Sequence, residues 1–404
     1  MVPLIALVLE NVLIRVAFAL SSWFEWVPWL GTTLAGATEA LNTVETLTIS
    51  FIVFTFGSLL VAIQVASGQL TPRIIATALL HNNVIRFTVG FFTFSMLFAA
   101  GAGARMGDTV PHFAVSIAWV LGIASIAAFL FLIDYTARLL RPISIVRLIA
   151  EQGIKAIEFV YPDPIEVPRV IERRHTAGVA ARVIEHQGSS AIVLLRSLVS
   201  MAQGADGVVE LVPRVGDFVA KGDPLFRLHG GANWIGEKRL RAQVAFGSER
   251  TIDQDPAFAF RVIVDIAIKA LSAAINDPTT AVLALDQLHR LLRQVGRRHL
   301  HDDAIFESKA ALRLIFATPD WDDFVQLTFS EIRLYGAANF QIARRVRAMI
   351  DDLVKTLPES RQPALRGELD VLDRMLERLH PLPEDLALAR EPDLQGLGGA
   401  QRRQ

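Results

Sequence analysis

Three apolar stretches, each about twenty residues long with no charge at its centre, limit what this chain can fold into. They are Thr46–Ala66, Val84–Ala104 and Phe113–Ile133. A helix of that length covers the hydrocarbon layer of a bilayer, and lipid offers no partner to an unpaired peptide group. The first third is therefore expected to be a membrane α-helical bundle. Pro3–Leu30 is a weaker fourth candidate: Trp23, Trp26 and Trp29 read as an interfacial aromatic belt, while Glu10 and Arg15 interrupt the apolar run. About four spans are thus expected within residues 1–140. The same two charges, with no basic leading segment, argue against a signal peptide.

Composition agrees with a chain partly in lipid, since 52% of its 404 residues are hydrophobic and the mean hydropathy is +0.39. A net charge of -1 supplies no basic surface for nucleic acid. The chain has no cysteine, which removes disulfides, thiol nucleophiles and thiolate metal sites.

Flanking charge gives an orientation. Gly31–Glu45 carries no Lys or Arg, whereas Arg73, Arg86, Arg138, Arg141 and Arg147 lie on the opposite side. By the positive-inside rule the Arg73 loop and the C-terminal half are expected in the cytoplasm. Small residues recur at four-residue spacing: Ser58, Ala62 and Ala66; Ser95, Ala99 and Gly103; Ala114, Ala118 and Gly122. Such stripes let helices approach closely, within one bundle first and between protomers of a homo-oligomer second. With no charge at mid-span, a permeation path would be lined by hydroxyls, so Thr48, Thr55 and Ser58 are the pore candidates. Gln64, Ser67, Gln69 and Arg73 extend them to the cytoplasmic mouth, where a helix end with a snorkelling anchor explains them as well.

After the spans, residues 141–170 read as an amphipathic connector, with Arg147, Glu151 and Lys155 on one stripe, followed by the proline-rich linker "YPDPIEVPR". Residues 171–232 change to short β-like runs around "RVGDFVAKGDPLF", in which Gly216-Asp217 and Gly222-Asp223 are turn dipeptides that orient Val215, Phe218, Val219 and Leu225. This stretch is similar to the small β-barrel-like hybrid module of biotinyl and lipoyl carrier domains and of membrane-fusion adaptors. The carrier lysine between two methionines is absent, so no covalent cofactor is expected. Residues 233–380 read as a helical domain, with two or three amphipathic helices across "DDAIFESKAALRLIFATPDWDDFVQLTFSEIRLYG" and "ANFQIARRVRAMIDDLVKTL", and residues 381–404 as a disordered tail. The fold class expected is thus a membrane helical bundle followed by a cytoplasmic α+β region.

Within the helical domain, Arg261, Asp265 and Lys269 fall at i, i+4 and i+8, so opposite charges pair along one stripe that is wet or faces an interface. The helix runs on into Asn276-Asp277-Pro278-Thr279. Ile275 is expected to end it, Asn276 to make the turn, Asp277 to cap the next helix, and Pro278 to occupy its first position. What is left over is a donor-rich helix start that can meet an anion or a partner subunit. Asp320-Trp321-Asp322-Asp323 reads first as a turn with an N-cap and second as a divalent-cation site. His299, His301, Asp302 and Asp303 read as a charged loop ahead of a zinc site. "GAGARMG" at Gly101–Gly107 follows a span and opens no βαβ unit, so it is no dinucleotide fingerprint.

Taken together, "IQVASGQLTPR", "ELVPRVGDFVAKGDPLF", "DIAIKALSAAINDPTTA" and "FSEIRLYGAANFQIARR" resemble, in order, the bacterial membrane-protein family known as domain of unknown function twenty-two fifty-four. The resemblance implies a bacterial inner-membrane protein with a multi-span N-terminal region and a cytoplasmic C-terminal half, and its name assigns no activity. Asp134-Tyr135 departs from it, standing where many members of that family carry paired histidines. Three functions follow as expectations. The first is a homo-oligomeric channel with a regulatory cytoplasmic domain. The second is a membrane-anchored scaffold or sensor for a cytoplasmic protein or small ligand. The third is a metal-dependent enzyme using Asp277, Asp320 and Asp322.

Overall fold

The computed structural model describes residues 12–17, 33–69, 83–107, 110–139, 142–165, 182–185, 192–193, 195–245, 250–252, 254–300, 304–307 and 311–398. It divides into two units, Met1–Ile145 and Val146–Gln404.

Unit one holds α1 (Leu34–Gln69), α2 (Asn83–Ala104) and α3 (His112–Leu139). Each contains a segment long and apolar enough to cross a membrane, the only three such segments among the described residues. Helix α1 has 36 residues, about 54 Å, and so outruns the hydrocarbon layer. Its start, at Leu34, lies well ahead of the expected span start at Thr46. "LAGATEALNTVE" is rich in good helix formers, and the Thr33 hydroxyl accepts the Gly36 N–H at 3.2 Å, capping the first turn.

Two of the three small-residue stripes pack inside this unit. Ser95, Ala99, Ala114 and Ala118 are buried, and the Cα of Gly122 lies so close to α1 that an added Cβ would stand 2.9 Å from Val44 Cγ2. Leu41, Val44, Phe98 and Val115 share one core with Ile14 and Ala17 of the helical residues 12–17. Further along, Phe51 stacks on Phe129 at 4.3 Å. The outward faces are apolar, with Val53, Phe54, Leu60, Val120 and Leu130 exposed. A surface of that kind is stable only against lipid or another apolar face.

Unit two takes in most of α4 (Pro142–Val160), from Val146 on, with Arg147, Glu151 and Lys155 exposed. The sheet elements are β1 (Arg182–Glu185), β2 (Ile192–Val193), α5 (Leu195–Gly204), β3 (Gly207–Leu211), β4 (Pro224–Gly230), α6 (Glu237–Arg241) and β5 (Val244–Ala245). Next come α7 (Pro256–Ala270), α8 (Pro278–Val295), β6 (Ala304–Phe306) and β7 (Leu312–Phe316). The last four helices are α9 (Trp321–Gly336), α10 (Phe340–Thr356), α11 (Gln362–Leu379) and α12 (Pro383–Arg390). Five strands form a mixed sheet in the order β1-β4-β3-β7-β6, while β2 and β5 pair separately.

That sheet differs from the expected hybrid module. It is open, and two of its strands lie in a segment expected to be helical. "LRLIF" buries Leu314 and Phe316 on alternate positions and lies parallel to β3, with Val209 opposite Leu314. The partner is thus about a hundred residues away, beyond the reach of local periodicity. The β3–β4 connection does follow the turn chemistry: Gly216 and Gly222 take φ of 88° and 94°, and Asp217 and Asp223 accept the Arg214 and Ala220 N–H groups at 2.8 Å. Val219 and Leu225 are buried as expected, but Phe218 is 79% exposed.

From Pro381 the chain is ordered through Gly398, in place of the expected tail. Helix α12 packs on α10, and the buried Asp393 accepts N–H groups of Gln395, Gly396 and Gly398 at 2.7–3.0 Å. The fully buried Arg344 of α10 donates to the carbonyls of Glu391 and Gly398, each at 3.0 Å.

Candidate functional site

The Asn276–Thr279 turn is accounted for by its own backbone. Helix α7 ends at Ala270 and not at Ile275, because Ala270 O accepts the N–H of Asp277 at 2.8 Å and the chain turns sharply between them. Asn276 sits at φ 47°, the left-handed region that asparagine tolerates. Asp277 accepts from Thr280 N at 3.0 Å and from its hydroxyl at 2.5 Å, and Pro278 is the first residue of α8. Asn276 and Thr279 are exposed.

On α7, Arg261 pairs with Asp265 and, across to α9, with both oxygens of Glu331. The guanidinium holds the Glu331 carboxyl below its ordinary range. Lys269 is partly buried on the same helix. The stripe therefore fastens α7 to α9. At the start of α9, Asp320 and Asp323 each accept the other's backbone N–H, a reciprocal capping box. His299 donates its backbone N–H to Asp163 O, and His301, Asp302 and Asp303 lie outside the described residues.

The pore candidates have their hydroxyls occupied by their own helix. Thr48 and Thr55 are buried and donate to Val44 O and Phe51 O at 2.7 Å, and Ser58 donates to Thr55 O at 3.0 Å. Gln64 is exposed; Ser67 and Gln69 fall within α1, their side chains outside the described set, and Arg73 lies outside the described residues.

Sequence reading missed a cavity of about 650 Å³ in unit two. Its volume falls in the range of small-molecule sites. The floor is aromatic: Tyr161, just after α4, meets Phe324 edge-on at 6.4 Å, and Phe316 at the end of β7 is buried beside them. Ala317, Leu327 and Val215 continue the apolar wall. Two helix starts open onto it, α7 at Asp255–Pro256 and α9 at Asp323–Phe324.

Polar groups line it as well. Arg250 donates through Nε to Asp255, lies 5.5 Å over the Phe258 ring and crosses Gly216, where a Cβ would collide with it. Its two Nη groups have no acceptor among the described residues. Asp255 is buried and caps α7 by accepting Phe258 N–H at 3.1 Å. Burial raises its pKa, against the opposing pull of Arg250. Arg214 is half exposed and only 3.8 Å from Asp323. The side-chain oxygen of Gln254 is buried with no donor among the described residues. The walls come from five distant segments, so only the Gly216-Asp217 and Asp320–Asp323 turns gave any sign of them in the sequence.

Helices in numbers and composition suited to a bilayer, followed by an α+β unit with a ligand-sized cavity, define a membrane-protein class. The chain belongs to the family described as predicted membrane protein (DUF2254), whose model matches residues 1–352. It is similar to uncharacterized proteins of Mycobacterium bovis and Mycobacterium tuberculosis, 24% identical over 359 residues, covering 85% of this chain and 68% of theirs. No solved structure matches it.

Proposed function

We propose that this protein is a membrane-anchored sensor in which the C-terminal unit binds a small amphipathic molecule. The cavity carries this reading. An apolar floor of ligand size, flanked by Arg214, Arg250 and Asp255, has the composition of a small-molecule site. The charge flanking the spans supports an inner-membrane location with this unit in the cytoplasm.

The test is a melting curve of the full chain in lipid nanodiscs against a panel of amphiphiles. A ligand at a hundred times its Kd stabilises by about 2.7 kcal/mol. Ala317→Trp, which fills the cavity from a half-buried position, abolishes that gain if the reading is right. An unchanged gain places the ligand elsewhere.

A homo-oligomeric channel is the second reading, favoured by Gly57, which faces open space among exposed Val53, Phe54 and Leu60 and leaves a notch for another helix. Its test is ion flux in proteoliposomes. Since Thr55 and Ser58 bond their own helix, a pore would be lined by groups brought together between protomers.

A further inference from the structure

We infer that unit two carries a docking surface for a second copy of this chain, at the end where α9 stops and α10 starts. This surface lies at the opposite ends of α7 and α9 from the cavity and does not depend on the sensor reading.

The elements that form this end stop or start level with one another. Helices α9 and α11 run side by side in the same direction. Trp321 Nε1 donates to Arg361 O at 2.8 Å, Arg333 pairs with Glu368, and His380, after α11, bonds Ala337 O, after α9, at 3.2 Å. Phe340, the first residue of α10, stacks on the same His380. Helix α8 runs parallel to α10, since Asp286 meets Arg345 and His289 meets Asp352. The α7–α8 turn therefore lies at this end too: a Cβ added to Gly336 would stand 3.1 Å from Leu271, and one added to Gly396 2.5 Å from Val282.

Exposed apolar surface is concentrated here. From α7 to Gly398 the described residues have six exposed large apolar side chains, Leu334, Tyr335, Leu379, Leu382, Leu394 and Leu397. The first four flank the Ala337–His380 contact in the chain. Leu397 follows the Gly396 carbonyl that accepts from Gln341, and Leu394 follows Asp393, whose N–H bonds Arg344 O one turn further along α10. Isolated apolar side chains are ordinary on a surface, but six at one end and none elsewhere between α7 and Gly398 are not. At 41–75% exposure they leave roughly 700 Å² uncovered, close to the about 800 Å² that a standard interface takes from each partner. The exposed residues of the two turns, Ala273, Ala274, Asn276, Thr279 and Ala338, are short and let a facing surface come near.

Charge selects the occupant. The exposed Arg378 and Glu384 bracket Leu379 and Leu382 in the chain, and neither has an ion-pair partner among the described residues. Glu377 is taken by Arg390, and Asp385 adds a further negative charge. An anionic lipid surface asks for an excess of Lys and Arg, which is missing. A surface that meets its own copy about a two-fold axis needs both signs on one patch. Arg378 then faces Glu384 of the partner subunit, and symmetry repeats the pair.

The chain has no cysteine, so a single introduced thiol is unique. The experiment is cross-linking of the full chain in isolated membranes with a short bis-maleimide, from Ala273→Cys, Ala338→Cys and Leu397→Cys. Lys221→Cys, at an exposed position in the β3–β4 connection, is the control. A dimer is expected from the three end positions and not from the control. Adding Leu382→Glu to the Ala338→Cys chain should lower the yield about tenfold, with melting unchanged because Leu382 is exposed. Arg378→Glu or Glu384→Arg alone should lower it severalfold, and the two together should restore it, a rescue that neither a bilayer nor an unrelated partner would give.

No dimer from any end position, or a dimer from the control as readily, overturns the proposal. So does a cross-link to a different protein only, or quenching by brominated lipid of a dye at these thiols, which assigns this end to the bilayer. Failure of the double reversal to restore what the single ones removed overturns the two-fold pairing.

Discussion

The two units solve the problem of buried polar groups in opposite ways. In the first, the hydroxyls of Thr48, Thr55 and Ser95 turn back onto carbonyls of their own helices, and only one buried side-chain pair, Ser125 to Ser95 at 3.2 Å, crosses between described helices. Contact between these helices is made by small residues and aromatic rings. In the second, arginines fasten one element to the next: Arg261 to Glu331, Arg333 to Glu368, Arg345 to Asp286, and Arg344 to the terminal carbonyls. Charges are too costly at mid-bilayer to serve as fasteners, whereas in a wet environment they supply directional joints. Closeness is what a substitution breaks in unit one, and hydrogen bonding in unit two.

The largest effect is expected at Arg344. Arg344→Leu leaves the carbonyls of Glu391 and Gly398 without their donor and costs about 3 kcal/mol, seen as a lower melting point and protease cleavage after Leu388. Next, Gly122→Leu drives a side chain into Val44 and is expected to cost about 2 kcal/mol in unit one, with Gly57→Leu, facing open space, within about 0.5 kcal/mol of wild type. Equal losses at both glycines would break the comparison, since closeness would then not be the governing quantity. Asp277→Ala should cost about 1 kcal/mol through the lost cap, and Asp277→Asn only a fraction of that. An Asn variant that unfolds would give this carboxylate a role beyond capping.

The smallest effect concerns His289, which bonds Asp352 at 2.8 Å. Burial lowers its pKa from 6.5, with Arg345 acting in the same direction and Asp352 against. On acidification the unfolded chain therefore takes up this proton first, so the histidine's contribution is full above 6.5 and is lost as pH falls through the lower folded value. Melting points of wild type and His289→Gln should converge as the pH falls through that window.

The parts legible in the sequence are those set by local rules. Span composition located α1, α2 and α3, and an Asp followed by Pro or by a second Asp three residues on located the starts of α8 and α9. Where partners are distant, the reading went astray. β7 was hidden because "LRLIF" carries an arginine and is short, and its pairing with β3 is not local. The segment after Pro381 looks solvated by composition; Asp393 and Arg344, far apart in sequence, order it. Helix α1 was shortened because Gly36, Thr38 and Asn42 lower the hydropathy of turns that are helical all the same. The cavity escaped for the same reason as β7, its walls being assembled from segments spread between Tyr161 and Leu327.

Hydrogen–deuterium exchange of the full chain in nanodiscs, with and without an amphiphile that raises its melting point, tests most directly that recognition resides in unit two. The account predicts slower exchange over residues 159–162, 214–217, 254–258 and 316–327, with α1, α2 and α3 unchanged. Protection confined to the membrane helices, with the cavity segments unaffected, would contradict it.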